Sequence, residues 1–519
     1  MKQLIRLLFT LFLFLLVKIS TGQTAVKIQQ WQPYDFEFKN GDTSSNPFTI
    51  NFSAEALGPG RKKLVLPGFY DGNGIWKIRF APTKEGTWSI TTMSDIQELN
   101  EKHVTVKCIK NKNKNIHGNL LVDPVNKQHF IYEDGTRWFP NGYEANWLWA
   151  LDEKDNSLPT LNPFLDKIKW YGFNFVLINA YAYDTKWRAG KTEAEDYGPP
   201  LLYPWGGNNK EPDFTRYNIE YWIHYDKMIE ALYQRGIIAH IYLKVYNKEV
   251  NWMKNNSPED DQYFRWMIAR YAAYPNITWD LAKEANYEKS IAYKTDRLKF
   301  IRNNDPYKRL LTVHTDIKTY DAGAYNELVD FRSHQEQTTH LHETTLKQLK
   351  QNLWPVMNVE SGYEYGPKGP TDKTYNHVHS PEEVARFYWE IQMAGGYNAY
   401  YYTHTAWDVM RVNDNPPGYG YLKNFSDFFR QTKYWLLQPA DSLMSSGYCL
   451  ANTGKEYVIY QKEATAFTVN FTGLSTPLKG RWFQPLTGKY LSAGKVVNGR
   501  MEFIPPPAFK KGPVVLYVN

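Results

Sequence analysis

The polar and apolar positions of this chain change rhythm twice. From about Ala25 to Lys112 they alternate in short runs broken by turn residues, which is the period of half-buried strands. Ile75-Trp76-Lys77-Ile78-Arg79-Phe80 is one such run, preceded by the hairpin-type turn Asp71-Gly72-Asn73-Gly74, and Thr87-Trp88-Ser89-Ile90-Thr91 is another. The pattern predicts a β-sandwich over residues 23–112, ending in a Lys/Asn-rich linker from Lys110 to Asn115. In the middle, strand-like apolar runs alternate with helical spacing. Ile219 to Arg235 places Trp222, Met228, Ile229 and Leu232 near one face, and Gly236 stands where a helix C-cap is expected. The strand-like runs are 138–140, 173–179, 237–243, 277–281, 310–313, 329–332, 356–359 and 397–402. Eight strands alternating with helices predict an α/β fold, a (β/α)8 TIM barrel, over residues 113–436. Beyond it, short alternating runs such as Glu456 to Tyr460 and Phe467 to Phe471 predict a second β-sandwich over residues 437–519.

Two glutamates gain significance from that frame. Ile277 to Ala282 leads into Lys283 and Glu284, and Pro355 to Val359 leads into Glu360. If both runs are parallel barrel strands, both carboxylates emerge at the C-terminal mouth, where barrel enzymes keep their chemistry. Two facing carboxyl groups suffice to cut a glycosidic bond: one protonates the leaving oxygen, and the other attacks the sugar or activates water. The expectation is Glu284 as acid/base, its pKa raised by apolar neighbours and a second carboxylate, and Glu360 as nucleophile. Glu364 is the rival to Glu360, and Asp280 is the nearest other carboxylate to Glu284.

Around the mouth, Glu144, Asn146 and Trp147 lie in a polar-aromatic stretch after the first strand, and Asn179 closes the second, followed by Tyr181, Tyr183 and Asp184. Tyr242, His314, His334, Tyr363, His404 and Trp407 complete the expected substrate-binding set, with Trp187 a further stacking candidate. Each aromatic has packing as its ordinary role, and Glu144 could equally be a structural ion pair. The three histidines raise the question of a metal, but none of His314, His334 and His404 belongs to a His-x-His pair, so neither a metal nor a cofactor is expected. Glycine-rich phosphate loops, Gly-x-Ser-x-Gly elbows and His-Glu-x-x-His are absent.

Composition narrows the picture. Aromatics make up 16% of the 519 residues, with Trp 18 and Tyr 39, which suits stacking on sugar rings as well as a large core. The net charge of +7 includes Lys2, Arg6 and Lys18 of a leader, so the remainder is near +4 and gives no support for nucleic-acid binding. Lys2 and Arg6, an apolar run from Leu7 to Val17 and the small residues Ser20-Thr21-Gly22 read as a signal peptide over residues 1–22 and imply a secreted or periplasmic protein. The run is too short to span a membrane. Cys108 and Cys449 are the only cysteines; they are either two free thiols or one bond tying distant modules.

Three stretches resemble known families. Asn46-Pro47-Phe48, Gly68-Phe69-Tyr70-Asp71-Gly72, Arg79-Phe80-Ala81-Pro82 and Gly86-Thr87-Trp88 resemble an uncharacterised β-sandwich module that precedes bacterial glycoside-hydrolase barrels. Trp279 to Glu284 and Pro355 to Glu364 look like the apiosidase-like barrels, with Glu284 and Glu360 at the positions of acid and nucleophile. Trp482 to Gly488 and Phe503-Ile504-Pro505-Pro506 resemble the collagen-binding-type β-domain that closes such enzymes. The chain departs from the pattern where apiosidase-like enzymes tend to carry Asp at 284 and where the wider clan has Asn at 283. The resemblance implies a bacterial polysaccharide-degrading enzyme. The expectation is a retaining hydrolase of plant or algal polysaccharide, with a polysaccharide or oligosaccharide as its partner. A polysaccharide lyase, for which Lys244 or Arg188 would matter, and a non-catalytic glycan-binding protein are the alternatives.

Overall fold

The computed structural model describes residues 25–41, 45–184, 200–316, 322–337, 340–351, 354–373, 377–405, 409–509 and 511–519. The proposed signal peptide, Trp187, Arg188 and Trp407 lie outside these residues.

The centre of the chain is a parallel barrel. Its strands are Gly142–Glu144, Phe175–Asn179, Ile238–Val245, Ile277–Lys283, a fifth strand in two pieces (Leu311–Thr312 and His314–Asp316), Arg332–Gln335, Val356–Glu360 and Tyr397–Tyr400. Each pairs in parallel with its neighbour in sequence, and the eighth pairs with the first. The first piece of the fifth strand pairs only with the fourth strand and the second piece only with the sixth. At the break the Asp280 carboxylate accepts the His314 N–H at 2.9 Å, taking the place of a ladder carbonyl. Closure also depends on size. A Cβ on Gly142 of the first strand would lie 2.7 Å from Ala399 of the eighth, so any larger residue would push the two strands apart.

Two strands differ from their expected positions. The apolar run Trp138-Phe139-Pro140 is not the first strand. It lies below the barrel, where Trp138 packs against Phe130 and Phe175, and Phe139 against Phe429 and Tyr397. The sixth strand is Arg332–Gln335 rather than Val329 to Arg332. Polar side chains occupy a buried strand there because neighbouring elements supply partners: Gln348 of the helix Leu341–Gln351 lies 3.5 Å from His334.

Helices wrap the barrel with local start signals. Ser257 caps Pro258–Tyr271 through the Asp260 N–H, with Glu259, Asp260 and Asp261 in its first turn, where the helix dipole favours anions. Ser380 and Glu383 form a reciprocal capping box on Pro381–Met393. Ile219–Gln234 ends at Gly236, whose φ of +64° suits glycine after a helix.

The N-terminal module is a seven-stranded sheet folded on itself. Its long strand Lys62–Tyr70 pairs with Phe52–Gly58 through its first part and with Ile75–Phe80 through its last. The C-terminal module packs a six-stranded sheet on a two-stranded one. Cys108 and Cys449 are both free and buried.

The modules are joined by built interfaces. Arg79 of the N-terminal module reaches Asp35 at 2.7 Å, Asp226 at 2.9 Å and the Arg270 carbonyl at 2.6 Å, while Arg270 of the barrel reaches Asp226 at 2.6 Å and Asp71 at 2.9 Å. Burial opposes the charge on Asp226, but Arg270 and Arg79 outweigh it and hold the carboxyl at about 2. On the other side, Trp389 stacks on Tyr460 with rings 2° from parallel, and His342 stacks on Tyr448 while meeting Asp441 at 2.8 Å.

Replacing Arg270 takes one cation from each of two carboxylates in the first interface, leaving Asp226 to Arg79 and Asp71 to Lys77. Arg270→Met is expected to cost about 3–5 kcal/mol, read as a lowered urea midpoint of the transition that releases the N-terminal module. A loss below about 1 kcal/mol would mean that solvent screens the network.

Candidate active site

Lys283 is the last residue of the fourth strand and points into the barrel mouth, wholly buried. Its ammonium bonds Glu144, from the end of the first strand, and lies 3.0 Å from Oε2 of Glu360, the last residue of the seventh. Rings surround it: the Tyr242 centroid is 5.3 Å from Nζ and the Tyr401 centroid 5.8 Å. Burial works against this charge, but Glu144, Glu360 and Glu284 outweigh it and raise the lysine above its ordinary value.

Glu284 follows immediately, with φ at +53°, a left-handed backbone that is costly for a glutamate. The turn is held by its own N–H to His314 Nδ1 at 3.4 Å, the Ala285 N–H to the His314 carbonyl at 2.9 Å, and the Tyr287 N–H to the Glu284 carbonyl at 3.0 Å. Burial and the nearby Glu360 push the Glu284 carboxyl up to about 7, with Lys283 and Lys248 opposing. Asn247 Nδ2 donates to Glu284 Oε1 at 2.6 Å. Glu360 is held differently. Besides Lys283, it accepts the Tyr363 hydroxyl on Oε1, with Gln337 Nε2 at 3.5 Å, and its own N–H goes to Asn358. Burial pushes Glu144 up to about 8, opposed by Lys283 and reinforced by Glu360. Three carboxyl groups therefore lie around one buried ammonium, and two of them, Glu144 and Glu284, retain protons near neutrality.

The structure brings part of the expected set together. Glu144, Tyr242, Tyr363 and His314 adjoin the two glutamates. Asn146 Nδ2 donates to the Tyr401 hydroxyl at 3.0 Å. Among the described residues, the Asn179 amide and the Tyr242 hydroxyl are buried without a protein partner, which leaves them for a ligand or water, whereas His314 has the Gln335 side chain beside it. Burial and Lys283 keep His314 well below its ordinary pKa, hence neutral. Asp184 is an ion-pair partner of Lys248 at 3.0 Å, and Tyr183 lies half-buried beside it.

Other members lie elsewhere. His334 turns to the Gln348 helix, and burial lowers it to about 3. Glu364 is buried on the side of the eighth strand, accepting the Tyr400 hydroxyl at 2.8 Å and the Gly418 N–H at 3.2 Å; burial pushes it up to about 7. His404 is clamped between Asp372 at 2.8 Å and Asp414 at 2.6 Å. Trp147 stacks on Trp149, and Tyr181 packs among Trp149, Tyr203 and Trp205, so these rings are core rather than sugar platforms. Asp280 is saturated by His240 and by the N–H groups of Ala282 and His314. Lys244 is sealed behind the wall with Asp260 and Tyr293, each at 2.6 Å, which takes it away from the mouth. Among the described residues, no three His, Cys, Asp or Glu side chains converge as a metal site.

Asn247, Lys248, Gln337 and Tyr401 were not anticipated, and Lys283 was noted only for its position. A signal existed for the first two. Val245 is in register with Lys283, so the residues just beyond the third strand stand beside those just beyond the fourth.

The family pattern described as "Apiosidase-like, catalytic domain" matches residues 125–444. The chain belongs to the apiosidase-like family. A domain of unknown function, DUF5060, matches residues 27–95, and the "Putative collagen-binding domain of a collagenase" matches residues 440–518. No curated protein sequence matches significantly. The apiosidase-like chain is similar in structure to a "putative glycoside hydrolase" from Bacteroides vulgatus, with a TM-score of 0.80 at 22% identity, over 95% of this chain and 99% of that one. It is also similar to a glycoside hydrolase family 5 structure from Bacteroides vulgatus, with a TM-score of 0.61 at 18% identity, over 78% of this chain and 93% of that one. These similarities establish a glycoside-hydrolase fold. Among the described residues, no helix is long and apolar enough to cross a membrane.

Lys283→Met would leave Glu144 and Glu360 without their cation. A carboxyl whose folded-state pKa is raised binds its proton more tightly folded than unfolded, so it favours folding at low pH and opposes it once pH passes the unfolded value. The variant is therefore expected to lose about 3–5 kcal/mol at pH 8 and distinctly less at pH 5, compared by thermal unfolding at the two pH values. An equal loss at both would show that the ammonium does not neutralise the pair.

Proposed function

We propose that this apiosidase-like chain is a secreted or periplasmic retaining glycoside hydrolase that cleaves plant or algal polysaccharide by double displacement. The observation that carries the reading is the unlike treatment of two neighbouring glutamates. Glu360 is fastened by Lys283 and Tyr363 as a positioned carboxylate. Glu284, raised to about 7 by burial and by Glu360, keeps a proton to give.

In the first step Glu360 attacks the anomeric carbon while Glu284 donates its proton to the departing oxygen. A glycosyl ester forms and the glycosidic bond breaks. In the second, Glu284, now ionised, takes a proton from water, whose oxygen displaces Glu360 at the same carbon. Two inversions give net retention, which requires carboxyl groups about 5–5.5 Å apart. The unpartnered buried groups of Asn179 and Tyr242 are available for sugar hydroxyls. The leader supports export, and the aromatic-rich mouth supports a carbohydrate substrate.

The deciding experiment is a reducing-sugar screen over a polysaccharide panel, followed by proton NMR of the first anomer released. Retention is expected, and Glu360→Gln should lower kcat by about 10³-fold or more with unchanged unfolding temperature. Release of the inverted anomer first, or near-normal turnover by the variant, overturns the assignment of Glu360.

The pH profile tests Glu284. Because its acid form does the work, kcat/KM should fall as pH rises through about 7. Asn247 donates to the charged form, so Asn247→Ala should raise the Glu284 pKa and move that limb upward. A downward movement would assign the limb to another group.

A further inference from the structure

The C-terminal module carries most of the net charge. Residues 437–519 hold nine Lys and Arg against four Asp and Glu, a balance of +5 within a chain total of +7. Part of this charge is concentrated on one face. Strands Leu478–Gln484 and Lys489–Val496 pair antiparallel, and along the first of them Leu478 and Trp482 turn into the sandwich core. Lys479 and Arg481 therefore project from the opposite face, which packs on Phe428 of the barrel at Phe483 and is an outer surface beyond that contact, as does Lys495, whose neighbour Val496 is a core residue. These three cations, with Tyr490, Leu491 and Ser492, line an open cavity of about 800 Å³.

Two features of this face are unfavourable without a ligand. Lys479 and Lys495 are directly opposite each other in the register, a like-charge cross-strand pair that destabilises a sheet. Among the described residues, neither lysine nor Arg481 forms a salt bridge. Arg481 is instead held by rings, its guanidinium 5.1 Å from the Tyr517 centroid and 5.6 Å from that of Tyr490. Lys489–Val496 is the edge of the sheet, and edge lysines commonly discourage strand pairing between molecules. That role covers Lys495 but not Lys479 or Arg481, which lie on the strand inside the edge. Exposed Tyr490, opposite Phe483 in the register, adds an apolar surface beside the cations.

We infer that this outer sheet face binds an anionic polysaccharide strand. The carboxylate or sulfate groups of the polymer sit between Lys479, Lys495 and Arg481, and a sugar ring lies against Tyr490. The inference rests on the glycoside-hydrolase reading only in choosing a glycan as carrier of the anions, and it is tested by binding alone.

The full chain is run in native gels containing polygalacturonate, a sulfated galactan or a neutral galactan, on a Glu360→Gln background so that the polymer is not consumed. Retardation by at least one acidic polymer and none by the neutral one is expected, and the two acidic arms distinguish carboxylate from sulfate. Lys479→Gln with Lys495→Gln should weaken binding roughly tenfold or more without lowering the unfolding temperature, since it removes a repulsive pair. Tyr490→Ala should weaken it as well. Lys455→Gln with Lys511→Gln removes the same charge away from the cavity and should leave binding intact. The inference is overturned if the neutral polymer retards the chain equally, if the two double variants weaken binding alike, or if duplex DNA of matched charge binds as tightly as the acidic glycans.

Discussion

A buried ammonium among three carboxyl groups is the interaction on which the site depends. Without Lys283, the three carboxyl groups at the ends of the first, fourth and seventh strands would have no cation among them, and Glu144, already pushed up to about 8 by burial and Glu360, would lose the one charge that opposes this rise. With it, Glu360 is fixed in place, and the unpaired member of the trio, Glu284, is left to hold a proton near neutrality. Contact with the lysine alone does not decide the roles, since Glu144 touches it and is still pushed up to about 8; Glu284 is the raised carboxyl placed outside the Lys283 bonds, where Asn247 holds it.

The flanking modules are fastened to the barrel by different physics. The N-terminal interface is ionic and buried, with Arg79 and Arg270 sharing Asp226. Its weight lies in the penalty for losing one partner rather than in net attraction. The C-terminal interface is aromatic, with Trp389, Phe428, Tyr460 and Phe483 in mutual contact.

Much of the fold was legible because apolar runs of strand length alternate with helical spacing, and the positions of Glu284 and Glu360 followed from counting those runs. What could not be read was which way a side chain turns. Every residue of Val356–Glu360 is buried, so the strand offers no polar alternation to set its parity. Beyond it, Tyr363 turns toward Glu360 while the adjacent Glu364 turns to Tyr400, a distinction that sequence spacing leaves open. His334 failed for the same reason, and the sixth strand was displaced because its members are polar and its lead-in apolar. Trp138 and Phe139 resemble a strand but serve as packing beneath one. Asn247 and Gln337 sit in loops where nothing in composition marks a donor aimed at a carboxylate.

The divided fifth strand bears on how mutagenesis here should be interpreted. The parallel ladder runs continuously from one piece of that strand around to the other, so the ring has a single seam, at Val313. His314 fastens the seam through its N–H to Asp280, supports the turn of Glu284 through its carbonyl and Nδ1, and faces the mouth with Nε2. One residue thus answers to architecture and to chemistry at once. An inactive His314 variant would not by itself identify a participant in bond cleavage, because a loosened seam would disturb the neighbouring glutamate just as surely.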